Sequence, residues 1–332
     1  MNAAVFRNPG GGLLVGKGPF ESLSGPPERG VAFYRNDFSL SCSRPWHVPS
    51  RVEILEEGES PEFLREEHPE IVWEEPEVEP FAEVFAEVSQ AIRGGSIEKS
   101  VPVATATGRI CKGSCKGLGS ALARGNGPLR PYGWIGGDEG VVGLSPELLF
   151  ELNGGVLHTM ALAGTARVEE REAFGADEKE IREHEFVAQT LLAKLSDLGQ
   201  TTRHSRDIME LGPLVHYHSA IDVELRKKES IDRLVSLLHP TPALGPLPRT
   251  AETLGDLVSW RHRLGCPRWF GAPFGLFRDG VFEVLVGIRM IRWQGPQVEV
   301  PSGCGVIEES RLVNEWRELR LKRESVRSVF GV

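Results

Sequence analysis

Asn153-Gly154-Gly155, set between the apolar runs ELLFEL and VLHTMAL, is the feature that most constrains the fold of this chain. Asn and Gly accept the positive φ that a tight turn between antiparallel strands demands, so residues 147 to 162 read as a β-hairpin. A second strand region is predicted at 281 to 293, where Phe282, Val284, Val286, Ile288 and Met290 alternate, with a partner at 297 to 300 beyond a Gly-Pro turn. Helical spacing appears elsewhere. From Phe81 to Arg93 the residues Phe81, Val84, Phe85, Val88, Ala91 and Ile92 fall on one face, and Gly94-Gly95 ends the pattern. Residues 177 to 198 repeat that period through Ile181, Phe186, Val187, Thr190, Leu191 and Leu195, as does the segment 311 to 329. Hairpins interleaved with separate helices indicate an α+β fold rather than a doubly wound parallel sheet. Residues 1–79, rich in Gly, Pro and Glu, are expected to form short strands and loops. No repeat or low-complexity linker marks a boundary, so residues 1–332 read as one domain.

Charge narrows the partners. The formal net charge is −9, and the acid excess is concentrated in residues 51 to 84, which read as a solvated face. Neither a nucleic-acid backbone nor an anionic membrane suits such a surface. The N-terminus lacks a basic region followed by an apolar stretch, and no segment has the roughly twenty apolar residues of a membrane span, so a cytoplasmic protein is expected. The cysteines, Cys42, Cys111, Cys115, Cys266 and Cys304, are an odd and scattered set that fits reduced thiols. Cys111 and Cys115 have no second pair with which to build a zinc site and are assigned to a surface loop. GGGLLVGKGP at 10 to 19 has the glycine and lysine spacing of a phosphate-binding loop. Gly18, however, stands where a Ser or Thr should hold magnesium, which leaves a turn between strands.

Two acidic knots carry the chemistry. KEIREHEF places Glu180 and Glu183 three residues apart, and NEWREL does the same with Glu315 and Glu318. On a helix each pair projects from one face, where like charges repel unless solvent or a cation intervenes. Magnesium takes oxygen ligands and is commonly held by one or two carboxylates with water and substrate oxygens around it. Spacing alone leaves solvation and metal binding both open.

SPELLFE (145–151), LAGTAR (162–167), REHEFV (182–187), HPTPALGPLPR (239–249), GIR (287–289), SGCGVI (302–307) and EWREL (315–319) occur in the order found in chorismate-utilising enzymes. From about residue 80 onward the chain resembles that family, and within it most resembles isochorismate synthases; the shorter segment 1–79 carries no family motif. The resemblance implies an antiparallel β-sandwich flanked by helices, with chorismate and Mg²⁺ in a cleft. It implies that Glu183 and Glu318 bind the metal directly and that Glu180 and Glu315 hold metal-bound waters. Lys99 matches the residue that activates water for addition at C2, and Glu147 matches the acid that protonates the departing C4 hydroxyl. Arg289 and Lys322 match groups that bind substrate carboxylates. Gly164, Thr165, Gly303 and Gly305 match the floor of the pocket; His239 is expected to line it and His216 to be structural.

The anthranilate-forming branch carries glutamine where Lys99 stands, and the aminodeoxychorismate branch carries a lysine where this chain has Ala163. Amination, and with it a glutaminase subunit, is therefore not expected. Salicylate formation by a lyase of the same family, or a non-catalytic chorismate sensor, are the competing readings. A monomer or weak dimer, menaquinone supply and a cytoplasmic setting complete the expectation. The chain departs from the family after Lys99, where Ser100-Val101-Pro102 suggests an edge strand or bulge. It departs again at Arg268 and at Ala272-Pro273.

Overall fold

The computed structural model describes residues 2–125 and 127–332. Among them run seventeen strands: β1 (Asn2–Arg7), β2 (Leu13–Leu23), β3 (Val31–Arg35), β4 (Trp46–Leu55), β5 (Glu70–Glu74), β6 (Val103–Lys112), β7 (Arg130–Gly136), β8 (Glu139–Ser145), β9 (Leu148–Asn153), β10 (Val156–Arg167), β11 (Gly199–Arg203), β12 (Asp207–Leu211), β13 (Leu214–Leu225), β14 (Pro273–Arg278), β15 (Val281–Val286), β16 (Met290–Gln294) and β17 (Gln297–Gly303). The α-helices are α1 (Val78–Arg93), α2 (Arg171–Phe174), α3 (Glu178–Ser196), α4 (Ile231–Leu238), α5 (Ala251–Arg263) and α6 (Leu312–Phe330). All ladder pairings are antiparallel. They run β5-β6-β17-β16-β8-β7-β1-β2-β4-β3-β14-β15-β9-β10-β13, with β11 and β12 on the far side of β13.

Alternation gives each strand two faces, and three apolar clusters record how the ladder folds over on itself. Phe6, Leu14, Tyr132, Val141, Leu162, Phe274 and Leu285 come from both halves of the ladder and fill the space between them. Phe6 and Phe274 stack there with ring centroids 6.2 Å apart. The alternate residues face outward. Val5, Val15, Val142 and Ile291 meet α6 through Val326 and Phe330. Leu149, Leu157, Phe282 and Val284 meet α3 and α4 through Val187, Leu191, Leu234 and Leu238. The result is the antiparallel sandwich flanked by helices that the sequence predicts.

The chain steps between the two halves at places that matter for function. β8 passes into β9 through Pro146-Glu147, and β15 passes into β16 through Gly287-Ile288-Arg289. The run expected at 281 to 293 is therefore two strands: β15 pairs with β14 and β9, whereas β16 pairs with β8 and β17. Arg289 turns the corner at φ 53°, in a region that side-chain-bearing residues rarely adopt. The two crossings are bonded to each other. Ser145 Oγ donates to Val286 O at 2.7 Å, Val286 N to Glu147 O at 3.1 Å, and Leu144 N to Arg289 O at 3.1 Å.

Several local expectations change. The predicted hairpin forms, with Asn153 opposite Val156 and both turn glycines at positive φ, but β10 continues to Arg167. In the segment 1–79, β2 is 11 residues long and β4 is 10, longer than the short strands expected, because the two pair along nearly their whole length. Within β2, Lys17 pairs with Glu53 at 2.5 Å. Cys111 ends β6 in the open, yet Cys115 is buried, so this region is only partly a surface loop; none of the five thiols is paired. Pro102 stands just before β6, and residues 103–106 pair with β17 alone because β5 reaches only residues 107–112, so this end of the strand is an edge, as the proline suggests. Among the described residues no helix is long and apolar enough to cross a membrane.

Candidate active site

Helix α3 starts because Asp177 caps it, its side chain accepting from Lys179 N and Glu180 N. Its inward stripe is Glu180, Glu183, His184, Val187, Ala188, Leu191 and Leu195. The same helical period that buries the leucines thus buries two carboxylates at the N-terminal end, while Ile181 and Phe186 are only half-buried. In α6 the buried positions Glu315, Leu319, Arg323, Val326 and Phe330 do likewise. The two acidic knots meet. Lys179 Nζ donates to Glu180 Oε1 at 2.8 Å and lies 3.4 Å from Glu315 Oε1 and 4.0 Å from Glu183 Oε2.

Glu183 and Glu318 face a cleft that is also lined by Glu147, Ala163, Gly164, Thr165, His216, Phe270, Arg289, Gly303, Gly305 and Lys322. Glu180 and Glu315 stand one turn behind them. Thr165 N donates to Glu180 Oε2 at 2.8 Å, so the Gly164-Thr165 corner of β10 steadies that carboxylate. Lys99 is fully buried behind Gly305, fixed by backbone bonds to Leu247, and donates from Nζ to Glu183 Oε1 at 3.1 Å. A side chain at residue 305 has no room, since a Cβ there would come within 2.1 Å of Glu183 Oε1 and 2.9 Å of Lys99 Cε. Lys322 Nζ bridges Glu318 Oε1 at 2.6 Å and Gly303 O at 2.9 Å.

Electrostatics separate these carboxyl groups. Burial pushes Glu147 up to about 7, against the hydrogen bond from Thr241 Oγ1 to its Oε1 at 2.8 Å and the field of Lys99. Glu180 and Glu315 are each pushed up to about 7, by burial first and then by Glu183 and Glu318 respectively. Burial acts on Glu183 in the same direction, but Lys99, Lys179 and Lys322 outweigh it and hold that group below the usual carboxylate range. For Lys179 burial alone would act downward; Glu315, Glu183, Glu180 and Glu318 together keep it well above the usual lysine range.

Arg289 is enclosed, and burial lowers it to about 10. Among the described residues no carboxylate forms an ion pair with it, and its Nη2 donates to His216 Nε2 at 3.1 Å. His216 Nδ1 donates in turn to Gly164 O at 2.8 Å, a pattern that requires the neutral Nδ1–H tautomer. Burial and Arg289 pull His216 well below its ordinary value, consistent with that form. A buried cation resting on a neutral ring is a site prepared for an anion.

The structure reverses the expectation for the two histidines. His216 lines the cleft and orients Arg289. His239 does not line it; its Nε2 bonds Phe38 O at 2.8 Å and its ring packs edge-on to Phe38, because α4 ends at Leu238 and the chain turns away. Sequence reading also missed Thr241, which HPTPALGPLPR carries without any sign that it would reach Glu147. It missed Lys179, whose place beside the acidic knot drew no reading of its own.

The arrangement suits a divalent cation. Glu315 is 1% exposed, and neither of its carboxylate oxygens has a hydrogen-bond partner. Such a group needs a positive charge nearby. Among the described residues no three His, Cys, Asp or Glu side chains already converge closely enough to hold an ion; the carboxylates are arrayed around Lys179 instead. Glu183 and Glu318, with Glu180 and Glu315 behind them, are the residues that could hold one.

The chain matches known proteins along most of its length. It is 32% identical to isochorismate synthase EntC of Escherichia coli (strain K12) over 209 residues, which are 59% of this chain and 52% of that protein. It is 30% identical to the salicylate biosynthesis isochorismate synthase of Pseudomonas aeruginosa over 202 residues, 57% of this chain and 42% of that one. The matched region thus spans about half the length of these curated relatives. In solved structures the fold recurs in MenF, the menaquinone-specific isochorismate synthase of Escherichia coli. There the TM-score is 0.82 at 18% identity, over 99% of this chain and 89% of that one. The model of the family described as chorismate binding enzyme matches residues 42–331. On that match, and on a cleft framed by the very motifs that carry the sequence resemblance, this chain belongs to the chorismate binding enzyme family.

Proposed function

We propose that this chain is an isochorismate synthase, an isomerase that converts chorismate to isochorismate with Mg²⁺ held by Glu183 and Glu318 directly and by Glu180 and Glu315 through water. The observation that carries this reading is Glu147: a carboxyl group on the cleft wall, 3% exposed, pushed up to about 7 and steadied by Thr241. Such a group can donate a proton near neutral pH, which departure of a ring hydroxyl requires.

The remaining residues supply the other half of the reaction. Lys99, which lies behind Gly305 and donates to Glu183, takes a proton from water as the water oxygen bonds to C2 only once that bond opens and the amine is neutral. The two ring double bonds each shift by one position and the C4–O bond breaks. Glu147 gives its proton to the departing hydroxyl, so one water enters and one leaves. Arg289, with no carboxylate ion-paired to it among the described residues, and Lys322 pair with the substrate carboxylates. A divalent cation, when bound, would offset the charge between the acidic cluster and an anionic substrate. Ala163 offers no amine at the position where an aminating relative carries lysine, so neither ammonia nor a glutaminase partner enters the scheme.

The names of the relatives support this activity, and menaquinone is taken as the destination of the product on the sequence resemblance alone. We place the enzyme in the cytoplasm, as a single chorismate-binding domain acting as a monomer or weak dimer. Incubation with chorismate and Mg²⁺ followed by chromatography tests the proposal. Isochorismate approaching an equilibrium mixture from either direction is the expected result. Stoichiometric salicylate and pyruvate would make the protein a lyase, and binding without turnover would make it a sensor.

A further inference from the structure

Lys179 stands in the first turn of α3, where the helix macrodipole disfavours a cation and its own helix offers Glu180 and, four residues on, Glu183 at 4.0 Å. Its side chain spans two helices. The ammonium donates to Glu180 of α3 at 2.8 Å and lies 3.4 Å from Glu315 of α6. Each of the other carboxylates has its own ammonium: Glu183 has Lys99 at 3.1 Å and Glu318 has Lys322 at 2.6 Å. Among the described residues Glu315 has Lys179 as its one ammonium partner, and neither of its oxygens has a hydrogen-bond donor in place. Four carboxylates thus face three ammonium groups, and the one shared between helices is the one with no carboxylate to itself.

We infer that Lys179 is a tethered counter-cation: it occupies the carboxylate cluster in the metal-free protein, pins α3 to α6 before a metal arrives, and leaves when a divalent ion and its waters take that place. The inference rests on the metal reading given above. A metal on Glu183 and Glu318 would set its waters on Glu180 and Glu315, the oxygens that Lys179 now holds, and would bring a second cation close to the ammonium. An ammonium on a four-carbon stem, about a quarter exposed, can swing to solvent, whereas the enclosed Lys99 cannot. The device keeps three buried carboxylates and the half-buried Glu318 from driving the helices apart, and it lowers metal affinity in return.

The test compares wild type with Lys179→Met, a substitution that keeps the stem and removes the charge. Calorimetry with Mg²⁺, and electron paramagnetic resonance of free Mn²⁺, should give at least tenfold tighter binding to the variant. The metal-free variant should melt lower than wild type, and saturating Mg²⁺ should close that gap. Affinity that is unchanged or weaker in the variant, while wild type binds normally, overturns the inference and leaves the metal reading intact. Absence of binding to both proteins overturns the metal reading and the inference with it. Should the variant not fold without metal, wild type provides a second measurement. Acetylation of Lys179 by acetic anhydride, read by peptide mass spectrometry, should run severalfold faster in saturating Mg²⁺ than in chelator; equal or slower labelling overturns the inference.

Discussion

Thr241 Oγ1 donates a 2.8 Å hydrogen bond to Glu147 Oε1, joining the loop after α4 to the crossing between β8 and β9. That bond favours the ionised carboxylate and opposes the effect of burial. Thr241→Val should therefore keep Glu147 protonated to higher pH and shift the basic limb of the kcat/KM profile upward. It should also slow turnover by about tenfold through a less well-fixed acid. A pH–rate profile that overlays wild type would remove Glu147 from the role of acid.

Stability should carry the same signature. Glu147 is raised from an ordinary 4.5 to about 7, so the folded chain holds a proton that the unfolded chain has released across that window. A group raised in this way contributes stability that is fully present below about 4.5 and is lost as pH rises through about 7, about 3 kcal/mol in all. Denaturant melts between pH 5 and 8 should show Glu147→Gln gaining on wild type as pH increases, while catalysis falls by ~10²–10⁴-fold. A constant stability difference across that range would contradict the assignment.

Metal binding should divide the four glutamates by position. Glu183→Gln and Glu318→Gln, which alter the cleft-facing carboxylates, should abolish turnover and weaken Mg²⁺ by two orders of magnitude or more. Glu180→Gln and Glu315→Gln should be milder. Excess chelator should silence the wild-type enzyme, and full activity in chelator would dispose of the metal.

Gly305→Ala tests the tightest contact in the site. Its Cβ would stand 2.1 Å from Glu183 Oε1, so the Lys99–Glu183 pair must part. We expect turnover to fall at least a hundredfold and Mg²⁺ affinity to fall with it, in a chain that still folds. Lys99→Ala should instead eliminate hydroxylation at C2 while leaving chorismate affinity largely intact, since the base acts in the transition state. Equilibrium binding of chorismate separates the two outcomes.

Much of this was legible in the residues. The acidic knots lie at the ends of strong helical periods, and a period that predicts where Leu191 and Leu319 point also predicts Glu183 and Glu315. The hairpin at Gly154-Gly155 follows from backbone sterics alone. What stayed hidden depends on the whole fold. Alternation runs unbroken through Val286, Ile288 and Met290, so nothing local announces the left-handed corner at Arg289 that divides β15 from β16. His216 and His239 differ only in which strand or loop end carries them toward the cleft, a matter of three-dimensional packing. Lys179 went unread beside the acidic knot because its partner Glu315 is far away in sequence.

Glu147 and Arg289 owe their positions to the two places where the chain leaves one sheet half for the other, and the bond from Ser145 to Val286 locks those places together. The separation of acid and anion-binding group is therefore inherited from the dihedral between two slabs of protein, much as the gap of a calliper is set at its pivot. Substitutions at the pivot's filling, such as the stacked Phe6 and Phe274, should retune turnover without touching any ligand. Lengthening the outlying turn at Gly154-Gly155 should leave it unaltered. Directed evolution of product choice in this scaffold has its levers in the interior of the sandwich as much as in the cleft.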